Sequence, residues 1–197
     1  MSNKILKINF SGASSTGKST LCRYCADMYG EPHAPERMRD VMTKRGIGIA
    51  QITNDVFIEA ADLQNYDIEI LEKKAQKYLF IDSGPLIFYL GNKYSFGREF
   101  PELKERALEF YKTQDVVFVC DPHIAFDTSM MRGDEGTKDI LHEQIIEFMN
   151  HHKIKYNLVA GSVAERAEQV KEYLKKRERQ NTKIFEDLYN YRKTKNR

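Results

Sequence analysis

Short apolar runs alternate along the chain with longer stretches whose apolar residues recur every three or four positions. Ile5-Leu6-Lys7-Ile8-Asn9-Phe10 reads as a strand. Lys18 to Tyr29 follows as a helix, with Leu21, Cys25 and Met28 at helical spacing and Gly30-Glu31-Pro32 to end it. His33-Ala34-Pro35 is short and extended, and Glu36 to Thr43 is helical. Asp55 to Gln76 forms a long helix with a stripe of Phe57, Ile58, Ala61, Leu63, Ile68 and Leu71, capped by Asn54 or Asp55. Tyr78-Leu79-Phe80-Ile81-Asp82 is apolar until its last residue, as a strand buried on both faces must be. Pro85 to Tyr94 and Pro101 to Lys112 read as helices, and Val116-Val117-Phe118-Val119-Cys120 is the strongest strand. A helix over Lys138 to His151, a strand over Tyr156 to Val159 and a Ser-capped helix over Ser162 to Lys176 complete the order. Strands that alternate with helices predict an α/β fold: a mostly parallel sheet with helices on both faces.

Composition narrows this picture. A chain of 197 residues is enough for one such domain and short for two. It is 41% hydrophobic, with 11 Tyr, 11 Phe and no Trp, while five Pro and 11 Gly exclude collagen-like or low-complexity structure. The formal net charge of +2 points to no partner, but its distribution is uneven. Residues 171–197 hold ten basic and four acidic side chains, a net +6 on an otherwise mildly acidic chain. Residues 1–176 are therefore read as one domain and 177–197 as a basic appendage. Three cysteines, no secretory leader and no stretch near the ~20 apolar residues of a membrane span predict a soluble, cytoplasmic protein without disulfides.

The most specific signal is Gly12-Ala13-Ser14-Ser15-Thr16-Gly17-Lys18-Ser19, which fits G-x-x-x-x-G-K-[ST] at every fixed position between a strand and a helix. A triphosphate needs converging backbone N–H donors, and glycines at the bends let the backbone wrap that closely. The following helix aims its positive end at the anion. Lys18 then reaches the β- and γ-phosphates, and the Ser19 hydroxyl coordinates Mg²⁺, with Ser14, Ser15 and Thr20 completing the contacts. This P-loop predicts ATP binding and leaves the reaction open. No N-K-x-D signature of a GTPase occurs, and a compact chain with one P-loop favours a small kinase.

In a parallel sheet, ligands sit beyond the carboxyl ends of the strands, so the residues just after each strand ring one cleft. Asp82 ends an apolar strand, where a charge needs a cation or a hydrogen-bonding partner, although a helix cap for Pro85 onward is the plain structural alternative. Glu36 can take the proton of a substrate hydroxyl and Arg39, three residues on, can hold a polar substrate group; a solvated ion-pair cluster explains Glu36-Arg37-Met38-Arg39-Asp40 equally well. Glycines flank Arg132 in the long connection after the fourth strand, which suggests a lid over 127–137 whose arginine neutralises the transferred phosphoryl group, or an ordinary surface loop. Cys22, Cys25, Cys120 and His123 superficially form a zinc set, but two lie within one helix and core packing explains them better.

Taken in order, the P-loop, Pro35-Glu36-Arg37-Met38-Arg39-Asp40, a helix carrying Gln64, Phe80-Ile81-Asp82-Ser83 and Asp121-Pro122-His123-Ile124 leading to Asp127 and Arg132 resemble one family. It is the P-loop AAA-like kinase family that includes ribosylnicotinamide kinase domains, and the resemblance spans roughly residues 5–175. It implies a P-loop kinase fold and phosphoryl transfer from ATP with Mg²⁺ to a nucleoside-like hydroxyl. By position, Glu36, Arg39, Gln64 and Asp82 face the acceptor, Asp82 also sits near the metal, Arg132 closes the lid, and Gly161-Ser162 borders the adenine. Two positions depart from the pattern: Gly84 stands where a second acid often follows the strand-end Asp, and Thr128 replaces the second Asp of the lid pair. Both concern the acceptor or lid rather than the triphosphate.

Three functions are compatible with these residues. The leading one is a kinase acting on a nucleoside or nucleotide. In the second, the acceptor is a hydroxyl in DNA or RNA, bound through the basic tail with its interleaved Tyr173, Phe185, Tyr189 and Tyr191. The third is a nucleotide-binding regulatory ATPase.

Overall fold

The computed structural model describes residues 4–97, 99–123 and 135–195. Five strands form one parallel sheet in the order β2-β3-β1-β4-β5, from β1 (Leu6–Ser11), β2 (His33–Ala34), β3 (Tyr78–Asp82), β4 (Val116–Cys120) and β5 (Asn157–Val159). The helices are α1 (Lys18–Tyr29), α2 (Met38–Arg45), α3 (Asn54–Glu72), α4 (Pro85–Phe96), α5 (Pro101–Lys112), α6 (Glu135–His151) and α7 (Val163–Lys195). This is the α/β architecture that the alternation predicts.

Side-chain alternation along the central strands sorts the core into two layers. Ile8, Phe10, Tyr78, Phe80, Val116 and Phe118 face α1 and α7, where Leu21, Cys22, Cys25, Val170 and Leu174 meet them. Phe10 lies between Phe80 and Phe118, with ring centroids 6.2 and 5.7 Å away, so three adjacent strands are tied by stacked aromatics. On the other face, Leu79, Ile81, Val117 and Val119 pack under α3 to α6 against Phe57, Ala60, Leu103, Ala107 and Phe148. The three cysteines belong to the first layer. They are buried, and desolvation pushes the Cys25 and Cys120 thiols up to about 12 and about 11. No group of three or more His, Cys, Asp or Glu placed to hold a metal occurs among the described residues.

Element boundaries move slightly from the sequence reading. The second helix begins at Met38, so Glu36 precedes it rather than sharing a helical face with Arg39. In α3 the N-cap is Thr53, and Leu63 is exposed while Val56, Ala60 and Gln64 take the buried stripe. The last helix runs without a break from Val163 to Lys195, so the 176/177 division suggested by charge falls inside it. No described helix is long and apolar enough to cross a membrane.

Candidate active site

The carboxyl end of β1 runs into the phosphate loop, and its two neighbours bring the rest of the site to it. In the β1–β3 register Phe10 pairs with Asp82, which places that carboxylate two residues from Gly12. On the other side Ser11 pairs with Val119, so Cys120 lies beside the loop's start. Gly12 has φ +150, and a Cβ there would come 2.9 Å from the Thr16 hydroxyl and 3.3 Å from Cys120; only glycine fits.

Within the loop, the buried Thr16 hydroxyl donates to the Ala13 carbonyl at 2.9 Å. Lys18 Nζ donates to that carbonyl at 3.1 Å, holding its charge across the loop. Ser14, Ser19 and Thr20 are exposed and Ser15 is half-buried in a left-handed conformation. The Ser19 hydroxyl at the helix start and the Asp82 carboxylate at the adjoining strand end are hard oxygen donors, a set that suits Mg²⁺.

Asp82 is 6% exposed, and Ser83 Oγ lies 3.4 Å from its Oδ1. The turn that follows is held from beneath: Ser83 has φ +63, its N–H donates to the Phe10 carbonyl at 2.9 Å, and Asn9 Nδ2 donates to its carbonyl. Next comes Gly84, where a Cβ would lie 2.6 Å from the Phe110 ring. A side chain at position 84 would therefore force the Phe110 ring to move.

Across the cleft, Gln64 Nε2 donates to the carbonyls of Asp82 at 2.6 Å and Pro35 at 3.2 Å, tying the ends of β3 and β2 together from α3. This places Glu36 near Asp82, Lys18 and Arg39. Burial pushes the Glu36 carboxyl above its ordinary range; the Met38 N–H it accepts opposes the shift, Asp82 adds to it, and Lys18 and Arg39 oppose it. The neighbouring charges divide cleanly. Arg37 pairs with Asp67 and Asp40, at 2.5 Å each, and is a structural staple. Glu36 and Arg39 have no ion-pair partner among the described residues. The Gln64 Oε1 is buried with no hydrogen-bond partner among the described residues.

On the β5 side, Ser162 caps α7, exchanging hydrogen bonds with Glu165, and Gly161 (φ +96) lies beside it. Arg132, with Asp127 and Thr128, lies outside the described residues.

A family model described as an AAA domain matches residues 7–166. The chain belongs to the AAA domain family. No curated protein sequence matches it. Among solved structures, this AAA domain protein is similar to the NadR protein in complex with NR, at 19% identity and a TM-score of 0.61, over 79% of this chain and 44% of that one. The chain thus spans under half the length of the NadR structures it matches. It is also similar to thymidylate kinase from Ehrlichia chaffeensis (11% identity, TM-score 0.61, 87% of this chain and 100% of that one). A third neighbour is deoxyadenosine kinase from M. mycoides with products dcmp and dcdp (13% identity, TM-score 0.61, the same coverages). These likenesses show that the chain shares its fold with NadR and with these P-loop nucleoside and nucleotide kinases.

Sequence reasoning about this AAA domain missed three groups. Asn9 had a signal, a lone amide inside an apolar strand. Phe110 had none, because its role is to fill the space beside Gly84. Arg166 had none either. It is 1% exposed, yet its Nε donates to the Gly161 carbonyl at 2.7 Å, Nη1 to Thr16 at 2.7 Å and Nη2 to Asp121 at 3.1 Å. Its acceptors are backbone oxygens up to 150 residues away, which no side-chain pattern records.

Proposed function

We propose that this protein is an ATP-dependent, Mg²⁺-dependent kinase that transfers the γ-phosphoryl group to a hydroxyl of a nucleoside- or nucleotide-like small molecule. The observation that carries the reading is the meeting of two carboxyls, Glu36 and Asp82, with Lys18 at the ends of β1, β2 and β3. Backbone N–H groups of residues 12–19 bind the triphosphate, with Gly12, Ser14, Ser15, Thr16, Gly17, Lys18, Ser19 and Thr20 as the contact set. Lys18 neutralises charge that develops as the phosphoryl group leaves. The Ser19 hydroxyl and Asp82 would hold Mg²⁺, which when bound would neutralise phosphate charge. Gly161 and Ser162 border the adenine, and Arg132 closes over the transferred group.

On the acceptor side the two carboxyls take separate roles. Glu36, raised by burial, is the base that accepts the hydroxyl proton, since a carboxylate with an elevated pKa binds that proton more readily. Asp82, beside the phosphate loop, serves the metal. Arg39 and the Gln64 Oε1, without a partner among the described residues, offer a cation and an acceptor to a polar substrate with its own N–H or O–H donors.

Incubation with γ-labelled ATP and separate pools of nucleosides, nucleotides and DNA tests this reading. Label entering a nucleoside or nucleotide pool supports it. Label in DNA, lost on deletion of 177–197, would move the acceptor to nucleic acid. Label released only as inorganic phosphate, at a rate indifferent to acceptor, would make the protein an ATPase.

A further inference from the structure

We infer that Arg166 is a positioning residue that presets the phosphate loop for its anion and links that loop mechanically to the exits of β4 and β5. This rests on the reading that a nucleotide binds residues 12–19.

Arg166 lies in the first turns of α7, and its side chain is among the largest in the protein that are fully buried. A guanidinium removed from water ordinarily requires a carboxylate. Among the described residues Arg166 has no ion pair; it donates to three main-chain carbonyls and also meets the Cys120 side chain. Each carbonyl comes from a separate segment that follows a strand: Thr16 after β1, Asp121 after β4 and Gly161 after β5. Among the described residues no carboxylate pairs with this charge, which is fastened to the loop proposed to bind a polyanion. Cys120 registers it, since Arg166 acts to lower a thiol pKa that burial raises.

The planar trans peptide supplies the second part of the argument. In such a unit the carbonyl oxygen and the following N–H point in opposite directions. By holding the Thr16 oxygen on its own side, Arg166 turns the Gly17 N–H toward the other side of the loop, where the Lys18 amine also lies against Ala13. That N–H is then aimed before the phosphate arrives, and its orientation is not disordered when the anion leaves. The flat fork of a guanidinium can span three oxygens, whereas a lysine ammonium is a point donor that cannot. The same fork means that fastening the phosphate loop fastens the Asp121 and Gly161 loops as well.

Hydrogen exchange of the wild-type chain with inorganic tripolyphosphate tests the link, because this probe carries no adenosine. At saturation we expect exchange to slow by about tenfold in residues 12–19 and also in 121–123 and 159–163. Slowing confined to 12–19 would overturn the link while leaving the nucleotide site standing. If ATP itself slows nothing in 12–19, the nucleotide reading fails, and the link falls with it. A second arm uses Arg166→Lys. We expect Kd and KM for ATP to rise by about tenfold with the acceptor KM unchanged. A folded Arg166→Lys protein that melts at a lower temperature but binds ATP like wild type would reduce Arg166 to a structural role; should that variant not fold, the wild-type exchange experiment decides alone.

Discussion

Polar groups on the two rims of the cleft are treated in opposite ways. On the phosphate-loop rim the buried ones are engaged: the Thr16 hydroxyl, the Lys18 amine and the Arg166 guanidinium all donate to carbonyls of the loops. On the opposite rim they are left wanting. Gln64 Oε1 and, beneath it in β1, Asn9 Oδ1 are buried without a partner among the described residues, and Glu36 carries a desolvated carboxyl. A rim tied in this way suits one kind of ligand, an anion that meets N–H groups and cations. An unsaturated rim costs stability until a substrate brings donors, and so its tolerance for different substrates is lower. On the proposed function, the difference separates the nucleotide side of the cleft from its acceptor side.

The strongest test of that contrast is Lys18→Ala. Turnover should fall by about 10²–10³ with the acceptor KM little changed and the fold intact by circular dichroism. Near-normal turnover would remove the phosphate loop from the reaction. Glu36→Gln should lower kcat by about tenfold to a hundredfold and abolish the acidic limb of its pH profile. The same substitution has a stability signature. Burial raises the Glu36 pKa in the folded chain, so the folded state holds the proton more tightly and loses stability as pH rises from the ordinary glutamate range through the folded pKa. Replacing the acid with an amide removes that loss, so Glu36→Gln should melt higher than wild type at pH 7 but not at pH 4.

Smaller effects address the supports beneath the acceptor rim. Gly84→Ala should cost about 2 kcal/mol in chemical denaturation, since its Cβ meets the Phe110 ring, and Phe110→Leu should recover part of it in a double-mutant cycle. Additive losses would show that the ring is not the obstacle. Gln64→Leu deletes the tie between the β2 and β3 exits; the acceptor KM should rise by about tenfold while the ATP KM stays put. Equal loss for both substrates would erase the distinction between the rims.

How much of this was readable from the residues follows the same division. Tyr78–Asp82, Val116–Cys120 and Pro101–Lys112 were legible to the residue, because burial on both faces or a proline start leaves a local signature. The phosphate loop was legible because its whole motif lies in one contiguous segment between a strand and a helix. Glu36 and Arg39 could not be separated from Arg37 and Asp40 without the fold, since the decision depends on Asp67, a partner thirty residues away from Arg37. The reach of the last helix was misjudged from charge because helix continuation depends on backbone hydrogen bonding, which a run of lysine and arginine does not interrupt.

By itself, then, the order of residues determined the parallel α/β sheet, the phosphate loop and the set of strand-end groups around it. Only the tertiary structure decided that Gln64 ties Pro35 to Asp82, that Phe110 crowds position 84, and that Arg166 gathers three loops. The physical reason is the partner in each case. Local patterns encode which side chains a segment offers, whereas a backbone carbonyl or an occupied volume carries no sequence identity and is set by what folding places beside it.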